Sequence, residues 1–374
     1  MKITMLISTH KLKDTRIYWK ESRSLAELGY NIQILAMSNE DVPEPEANIK
    51  WITIPKNKNR FFRFLNSYKL LIKAIKNKSD VYQINEGEIL WFSPILKILS
   101  PGSKVVYDAH EPLGIFISYK NWVPRILRGF VKIIVDLYER FFTYFCDAVI
   151  AVAPKNRQKF QRWHRKAYLV RNFPIETADI TPVDWHKRKK IFLYIGLISI
   201  HRGFEQILEF ANLLSQSNEQ DYRIKIIGMF SPDHKKIIEN LVSQMPSDIS
   251  ELSTDWVDHK TVLKEIEQAR FGFSLFDETI IPHVKFTTTN KIFEYMLHGA
   301  IPIVTYVPEL EEYIKNFENG ILLPLGEEAN KLFKLLPEIE KNGEIISSNA
   351  RKYAKSHFLW KFEKERYISL FEEL

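Results

Sequence analysis

The stretch Asn290–Val304 reads NKIFEYMLHGAIPIV. Its first part, Asn290–Leu297, has the apolar spacing of a helix, and Ile301–Val304 is a short apolar run that favours a buried strand. Gly299 lies between the two. A helix that leads directly into a buried strand is typical of an α/β fold with a parallel sheet.

The same alternation precedes this stretch in the second half of the chain. It begins with a strand at Ile191–Ile195, a helix from Phe204 to about Ser215 and a strand at Arg223–Ile227. Further predicted elements are helices at 237–244 and 260–269 and a strand at 272–276. Together they predict a Rossmann-like domain over residues 191–357.

The first half of the chain repeats the pattern. Met1–Ile7 predicts a strand, and a helical pattern then stops at Gly29 before the strand Asn31–Ala36, which is the length of a parallel crossover unit. The following elements are predicted as helices at 64–76 and 89–99 and strands at 81–84, 104–107, 148–152 and 168–170. They predict a first Rossmann-like domain over residues 1–175.

A change of composition separates the two halves. Residues 176–190 lose periodicity and contain Pro182 and the basic run His186–Lys190, which predicts a linker. Residues 358–374 predict a last helix. The predicted fold is α/β, with two Rossmann-like domains facing each other across a cleft, and a ligand is expected at the carboxyl ends of the strands.

Composition excludes several classes of protein. The 374 residues are 45% hydrophobic and 26% charged, which suits two globular domains and not a disordered chain. No apolar run has the length of roughly 18 to 20 residues that spans a bilayer, and the opening segment lacks the pattern of a signal peptide. The one cysteine, Cys146, excludes an internal disulfide and is expected to be a reduced core residue. We therefore expect a cytoplasmic protein.

Charge is distributed unevenly along the chain. Residues 1–190 hold 33 Lys and Arg against 18 Asp and Glu, whereas residues 191–374 hold 20 against 28. The basic half is expected to face an anionic partner, such as phosphorylated lipid head groups, an acidic glycan or nucleic acid. Its segments 59–64 and 119–132 interleave basic and aromatic residues. Each fits either contact with an anionic membrane, with Trp122 and Phe130 at the boundary, or core packing with a solvated charged face.

One motif in the second half fits a phosphate. Gly196 ends a predicted strand, and Arg202 and Gly203 precede a predicted helix. Backbone N–H groups at the start of a helix, together with a guanidinium, bind phosphate. An ordinary surface turn fits the same residues.

The start of the helix in the opening stretch fits a nucleotide. Glu294 can accept hydrogen bonds from both hydroxyls of a ribose, and Lys291 beside it can meet a pyrophosphate. The alternative is a helix N-cap at Thr289 or Asn290, with Glu294 and Lys291 as a solvated ion pair. Spacing alone favours this alternative.

Polar residues also follow strands in the first half. Asp108, His110 and Glu111 come after the predicted strand at 104–107, where they are candidates for handling a sugar hydroxyl. The alternative is that Asp108 caps the next element and His110 is a structural histidine. Asp14 and Arg16 lie at the equivalent edge after the first strand, and a surface ion pair is their alternative. The histidines in the sequence do not show the spacing of a known metal-binding motif.

Taken together, these residues show that the whole chain resembles a family 4 glycosyltransferase of the GT-B fold. The most specific part is the opening stretch, which resembles the family's donor-site helix, the Gly-x-Pro turn and the next strand. Five further matches are individually loose, but their order along the chain supports the resemblance. They are Asp14–Arg16, Leu25–Tyr30, Tyr107–Glu111, Cys146–Val152 and Arg171–Pro174.

The resemblance implies a division of roles. The second domain would bind a UDP- or GDP-linked sugar, with Glu294 on the ribose and Arg202 and Lys291 on the pyrophosphate. The other implied donor-site residues are Gly196, Gly203, Thr289 and Asn290. The first domain would bind the acceptor through Asp14, Arg16 and Asp108, with His110 and Glu111 as catalytic residues near the transferred sugar. The family further implies retention of configuration, no metal and no cofactor, and a last helix that crosses back onto the first domain.

The chain departs from the family at two places. Many members carry a glutamate that contacts the sugar eight positions before the ribose-binding one, where this chain has Phe286. Thr287, Thr288, His283 and Asp277 are the possible substitutes. Members also commonly have Arg after the strand-end glycine and Lys before the second one, where this chain has Leu197 and Arg202.

The leading hypothesis is a transferase that adds a sugar to a lipid-linked or otherwise anionic glycan at the inner face of the plasma membrane, in cell-surface glycan synthesis. One rival is a non-catalytic GT-B relic that binds a glycan or partner, which Phe286 favours. A nucleic-acid-binding protein is a second rival, but no nucleic-acid motif accompanies the charge. A sugar-nucleotide epimerase is a third.

Overall fold

The computed structural model describes residues 1–120, 123–176, 183–217, 221–255, 257–286 and 289–374. Trp122, Thr287 and Thr288, and part of the predicted linker, lie outside these ranges. The chain forms two compact units: unit 1 is Met1–Asn172 with Trp360–Leu374, and unit 2 is Phe173–Leu359. Each unit is an α/β domain built on one parallel sheet, which confirms the predicted fold class.

Unit 1 contains a seven-stranded sheet in the order β3-β2-β1-β4-β5-β6-β7. Its strands are β1 (Lys2–Ile7), β2 (Asn31–Met37), β3 (Ile49–Ile54), β4 (Val81–Ile84), β5 (Lys104–Ala109), β6 (Ala148–Ala151) and β7 (Ala167–Leu169). Its helices are α1 (Arg23–Ala26), α2 (Arg60–Asn66), α3 (Tyr68–Asn77), α4 (Phe92–Leu99), α5 (Leu113–Ser118), α6 (Arg128–Thr143) and α7 (Pro154–Gln161). All neighbouring strands are parallel, so their carboxyl ends lie at one edge.

Both faces of this sheet are buried. Ile3 and Met5 of β1 lie in the apolar core on one face, and Leu6 lies in the core on the other, as the alternation of side chains along a strand requires. A strand buried on both faces needs an almost continuous apolar run. That run is the signal from which the central strands were predicted.

Unit 2 contains a six-stranded parallel sheet in the order β10-β9-β8-β11-β12-β13. Its strands are β8 (Lys189–Ile195), β9 (Arg223–Ile227), β10 (Ser250–Ser253), β11 (Ala269–Ser274), β12 (Ile301–Thr305) and β13 (Ile321–Leu323). Its helices are α8 (Phe204–Ser215), α9 (Lys235–Val242), α10 (His259–Gln268), α11 (Ile281–Val284), α12 (Asn290–His298) and α13 (Glu328–His357). The end of the predicted linker lies in this unit, because Trp185 is buried in its core and Lys189 begins β8.

The last helix, α14 (Trp360–Glu372), belongs to unit 1. Trp360 donates its indole N–H to Ser24 Oγ at 3.0 Å, and the Tyr367 hydroxyl donates to Gln83 Oε1 at 2.7 Å. Tyr367, Leu370 and Phe371 are buried in the same core as Ile3. Residues at the two ends of the chain therefore complete one hydrophobic core.

Three edge strands and several helices, among them α7 and α11, were not predicted from the sequence. The strands β3, β10 and β13 were not predicted, and each lies at the edge of its sheet. Partly exposed side chains weaken the apolar pattern of β3 and β10, whereas β13 is only three residues long. The 30-residue helix α13 was also not predicted. It contains Pro337 and Gly343, which in a sequence indicate the end of a helix. Within the described residues no helix is long and apolar enough to span a membrane.

Gly343 allows α13 to approach the Trp185 ring. A Cβ on Gly343 would lie 2.1 Å from a ring carbon of Trp185, so Gly343→Ala should destabilise unit 2 by about 1–3 kcal/mol through overpacking. Gly129 in α6 is the matched control, because a Cβ there would have no neighbour within 4 Å. Gly129→Ala should be neutral or stabilising by up to about 1 kcal/mol. Urea unfolding of both variants measures the difference; equal midpoints would contradict the packing argument.

Candidate functional site

A buried ion pair lies at the carboxyl edge of the unit 1 sheet. Asp108, in β5, accepts two hydrogen bonds from Arg16, from Nε to Oδ2 and from Nη2 to Oδ1, both at 3.0 Å. Arg16 also donates from Nη1 to the Val170 carbonyl and lies 2.8 Å from Glu21 Oε1. Arg16 is 2% exposed, and both carboxylates are fully buried. Such bidentate pairing fixes the loop after β1 against β5.

Burial and the charges within this cluster set the protonation states of Asp108 and Glu21. Burial acts to raise the pKa of Asp108, but the charges of Arg16 and His110 outweigh it and hold that pKa far below its usual range. Burial, followed by the charge of Asp108, raises the pKa of Glu21 well above its usual range. One guanidinium therefore faces one firmly ionised carboxylate, while the second acid favours its neutral form.

His110 extends this cluster into a cavity. Its Nε2 lies 2.7 Å from Asp108 Oδ2, which fixes the orientation of the ring. His110, Glu111 and Asp108 line a cavity of about 590 Å³. Both predicted catalytic residues therefore border one space, together with basic side chains from Lys56, Arg60, Arg63 and Lys120 and apolar ones from Leu113, Phe116 and Ile117.

Two further residues of this cavity were not predicted from the sequence. Glu86, just after β4, accepts hydrogen bonds from the backbone N–H groups of Ser8, Thr9 and His10 at 2.9–3.2 Å. The His10 ring lies 5.0 Å from the His110 ring, centroid to centroid. Both residues follow a strand that ends at the same edge as β5, which is the signal that could have found them.

Asp14 lies beside His10 and sets its charge. Its Oδ2 is 3.1 Å from His10 Nδ1, and its Oδ1 accepts the backbone N–H groups of Arg16 and Ile17. Burial acts to lower the pKa of His10, but the hydrogen bond that the ring donates to Asp14 and the charges of Glu86, Asp14 and Asp108 raise it to about 9. His10 is therefore a cation at neutral pH.

The structure corrects several expectations for this edge. Asp14 and Arg16 do not form a surface ion pair, because Asp14 pairs with His10 and Arg16 is buried against Asp108. Asp108 does not cap a helix. Since Arg16 and Asp108 are buried and bonded to each other, they are suited to positioning His110 and not to touching an acceptor directly.

In unit 2, two glycines bring the ends of β8 and β9 together. Gly196 follows β8 with a φ of +112°, a conformation that favours glycine. A Cβ on Gly228 would lie 1.7 Å from the Gly196 carbonyl oxygen, so no larger residue fits there without movement of the backbone. Glycine at position 228 therefore allows the two strand ends to approach closely.

Arg202 and Gly203 lie between this edge and α8. Arg202 ends a short 3₁₀ turn, and Gly203, at a φ of +72°, is the residue from which α8 begins. A Cβ on Gly203 would lie 2.3 Å from Leu275 Cβ. Arg202 is therefore held by its turn next to the N-terminus of α8, where N–H groups lack helical partners.

Lys291 approaches the same place from α12. It is 8% exposed, and its Nζ lies 3.4 Å from the Ile195 carbonyl oxygen and 4.1 Å from the centre of the Tyr194 ring. Burial first, and the charge of Arg202 second, hold the pKa of Lys291 well below its usual range. Burial and the nearby guanidinium therefore both disfavour the charged form of Lys291 in the free protein.

Glu294 does not form the ion pair with Lys291 that spacing favoured. Its Oε1 lies 3.1 Å from Nε2 of His259 instead, with the Glu294 side chain 22% exposed. Thr289 occupies the N-cap position of α12, but its side chain makes no capping hydrogen bond, and Asn290 is the first helical residue. The start of α12 therefore keeps backbone donors for a ligand.

Asp277, one of the residues proposed to replace the missing glutamate, has partners of its own. Asp277 Oδ2 lies 2.8 Å from Nδ1 of His201. Thr279 Oγ1 lies 2.6 Å from that Nδ1 and donates to Asp277 Oδ1, also at 2.6 Å. His283 is in α11, and Phe286 follows that helix. Within the described residues no group of three or more His, Cys, Asp or Glu side chains could hold a metal ion.

Comparison with solved structures identifies the fold. Sucrose-phosphate synthase from Thermosynechococcus elongatus matches all of this chain and 98% of its own, with a TM-score of 0.76 at 16% identity. Anabaena HepE in complex with UDP matches over the full length of both chains, with a TM-score of 0.69 at 13% identity. The fold is therefore GT-B, as expected from the sequence.

One family model matches part of the sequence. Residues 17–173, which are less than half of the chain, match the model of Glycosyltransferase Family 4, and this match confirms the resemblance to glycosyltransferases. No curated protein sequence matches the chain significantly.

The charge of His10 gives a testable pH dependence. Because its pKa rises from 6.5 to about 9 on folding, its protonation stabilises unit 1 fully below about pH 6.5, and this stability is lost as the pH rises through about 9. Asp14→Asn keeps an acceptor for the two backbone N–H groups but removes the charge, so the His10 pKa should fall toward or below 6.5. NMR titration of the His10 ring measures it.

Asp255→Asn, an exposed site in unit 2, is the matched control and should leave the His10 titration unchanged. A midpoint near 6.5 in the wild type would contradict the assignment of the His10–Asp14 pair.

Proposed function

We propose that the protein transfers a sugar from a nucleoside diphosphate sugar to a glycan or lipid-linked acceptor, with retention of configuration. The observation that supports this most is Lys291, a buried lysine whose ammonium contacts a carbonyl oxygen and an aromatic ring, next to Arg202. Neither contact neutralises its charge. Burial and Arg202 lower the pKa of Lys291, and a bound anion would favour its charged form, which is typical of a site that binds an anion.

A diphosphate fits this site by charge and by geometry. Arg202, Lys291 and the N-termini of α8 and α12 supply charged and backbone donors, which is how proteins commonly bind phosphate. As the bond from sugar to phosphate breaks, negative charge grows on the leaving diphosphate. Donors fixed before the reaction stabilise that charge without reorganisation.

The ribose end of the donor is assigned to Glu294. Its carboxylate is partly exposed and is bonded to the exposed residue His259, so a ribose diol can replace that contact at little cost. HepE in complex with UDP, and the Escherichia coli trehalose-6-phosphate protein bound with UDP-2-fluoro glucose, support a uridine nucleotide here. The latter matches all of this chain and 99% of its own, with a TM-score of 0.72 at 12% identity.

The acceptor is assigned to the cavity of unit 1. His110, oriented by Asp108, is the group placed to touch the reacting sugar or the acceptor hydroxyl, and Glu111 borders the same space. The cations around it, His10 among them, fit an acceptor that carries negative charge. In a retaining reaction of this family the leaving phosphate itself helps to deprotonate the acceptor, so the protein needs no separate strong base.

The role of Glu294 is tested by substitution. Glu294→Ala removes two charge-assisted hydrogen bonds to the ribose, so UDP affinity and the rate of UDP-glucose hydrolysis or transfer should fall about 10- to 100-fold. Glu338→Ala, on the exposed face of α13, is the control and should be unaffected. Equal activity of Glu294→Ala and the wild type would remove the donor assignment. Absence of nucleotide binding in the wild type would favour the non-catalytic relic.

The role of Lys291 is tested by a variant that separates binding from stability. Lys291→Met keeps the length of the side chain and removes an unneutralised buried charge, so the free energy of unfolding should be unchanged or higher. UDP affinity should nevertheless fall about tenfold or more, while affinity for uridine, which lacks the diphosphate, should change little. Calorimetry with both ligands measures this, with Lys341→Met on α13 as the control. A parallel loss for UDP and uridine would contradict a diphosphate contact.

A further inference from the structure

Helix α6 exposes its apolar side. Phe130, Ile133, Leu137, Phe141 and Tyr144 recur every three or four residues from the helix start to its C-cap and therefore lie on one stripe. They are 58–80% exposed. Ile126, in the turn just before the helix, is 91% exposed. A stripe of this size rarely faces water without a partner.

The opposite side of α6 is held by polar contacts. Glu139, which is fully buried, accepts hydrogen bonds from Lys159 Nζ at 2.5 Å and from the Tyr107 hydroxyl at 3.2 Å. The Tyr138 hydroxyl donates to the Gly87 carbonyl at 2.9 Å. These contacts fix which side of the helix faces outward, so the exposure of the apolar stripe is a feature of the folded unit.

Helix α2 adds to the same surface. None of its residues is buried, and Phe61, Phe62 and Leu65 are 48–65% exposed. Its Arg63 forms a two-point ion pair with Glu88, both bonds at 2.8 Å. Since Glu88 follows Gly87, which anchors Tyr138 of α6, both helices are attached to one turn. We call the exposed apolar side chains of α2 and α6, with Ile126, the apolar face.

Basic residues surround the apolar face. Arg60 begins α2, Arg125 precedes α6 and Arg140 lies within α6, and all three are exposed. The half of the chain that contains them carries 33 Lys and Arg against 18 acidic residues. Like charges would oppose pairing of this face with a second copy of itself, whereas an anionic bilayer offers both hydrocarbon for the apolar side chains and phosphate for the arginines.

The cavity of unit 1 lies beside this face. Arg60 and Arg63 of α2 and Leu113, Phe116 and Ile117 in and next to α5 line it, and α5 packs on α6. A cavity with cations and apolar side chains fits an amphiphile whose anionic head enters while its hydrocarbon remains in the lipid. This step rests on the proposed function, which places the acceptor in that cavity.

We propose that the apolar face docks onto the surface of an anionic bilayer and so brings the cavity to membrane-embedded acceptors. The contact with a membrane expected from segments 59–64 and 119–132 thereby keeps residues of both segments, among them Phe61 and Phe130, and extends along α6 to Tyr144. The apolar residues enter the lipid, and the arginines bind the head groups.

The experiment is co-sedimentation of the full-length protein with phosphatidylcholine vesicles containing 30% phosphatidylglycerol, about the anionic fraction that attracts basic surfaces. The wild type should bind these vesicles. Its affinity should be about tenfold lower for pure phosphatidylcholine vesicles, and about tenfold lower for the anionic vesicles at high salt. The triple variant Phe130→Ser, Leu137→Ser and Phe141→Ser should lose about tenfold or more in affinity. Because these side chains are exposed, its melting temperature should be unchanged.

The control is the double variant Ile237→Ser and Ile345→Ser, which removes apolar side chains that are 51% and 63% exposed in unit 2. It should bind vesicles as the wild type does. Equal binding by the wild type and the triple variant would overturn the proposal. So would a dimeric wild type that binds no vesicles and becomes monomeric in the triple variant, since the partner would then be a second copy.

Donor hydrolysis without vesicles separates this inference from the proposed function. The triple variant should hydrolyse UDP-glucose as the wild type does, and Glu294→Ala should lose hydrolysis but keep vesicle binding. Loss of both properties in either variant would contradict the assignment of two separate surfaces.

Discussion

The buried pair Arg16–Asp108 is the interaction on which the candidate acceptor site depends. A charge without water is costly, and the two hydrogen bonds between guanidinium and carboxylate offset that cost only in one geometry. That geometry fixes the loop after β1 to the end of β5 and leaves Asp108 oriented to hold His110. Removal of Arg16 would leave the buried Asp108 with His110 as its remaining partner, and removal of Asp108 would leave Arg16 with Glu21.

The same cluster reaches the C-terminal helix. Glu21 accepts a hydrogen bond from the Gln83 amide at 2.7 Å, and the Gln83 carbonyl oxygen accepts one from Tyr367 of α14. The side chain that faces the cavity is therefore connected to the last helix through buried polar groups. Since such groups are stable only when all are satisfied, α14 supports the geometry of His110 as well as the hydrophobic core of unit 1.

The candidate donor site uses the opposite principle. In unit 1 the buried cation is neutralised within the protein, whereas in unit 2 Lys291 contacts a carbonyl oxygen and a ring, with Arg202 nearby. A neutralised ion pair fixes a structure, while an unneutralised cation retains its attraction for an external anion. The two units thus use buried charged groups for different purposes. In unit 1 the ion pair orients the His110 side chain, and in unit 2 Lys291 is placed to bind a ligand.

The sequence by itself determined the fold class and the position of most elements, because strands buried on both faces need continuous apolar runs such as Ile301–Val304. It also determined where candidate polar residues lie, since they follow those strands. Only the tertiary structure decided their partners: Glu294 contacts His259 and not Lys291, and Arg16 contacts Asp108 and not Asp14. Spacing along the chain reports neighbours within one helix or loop. A pair of residues separated by 92 positions, or a helix whose apolar stripe faces outward, is defined only when the sheet has brought its strands together.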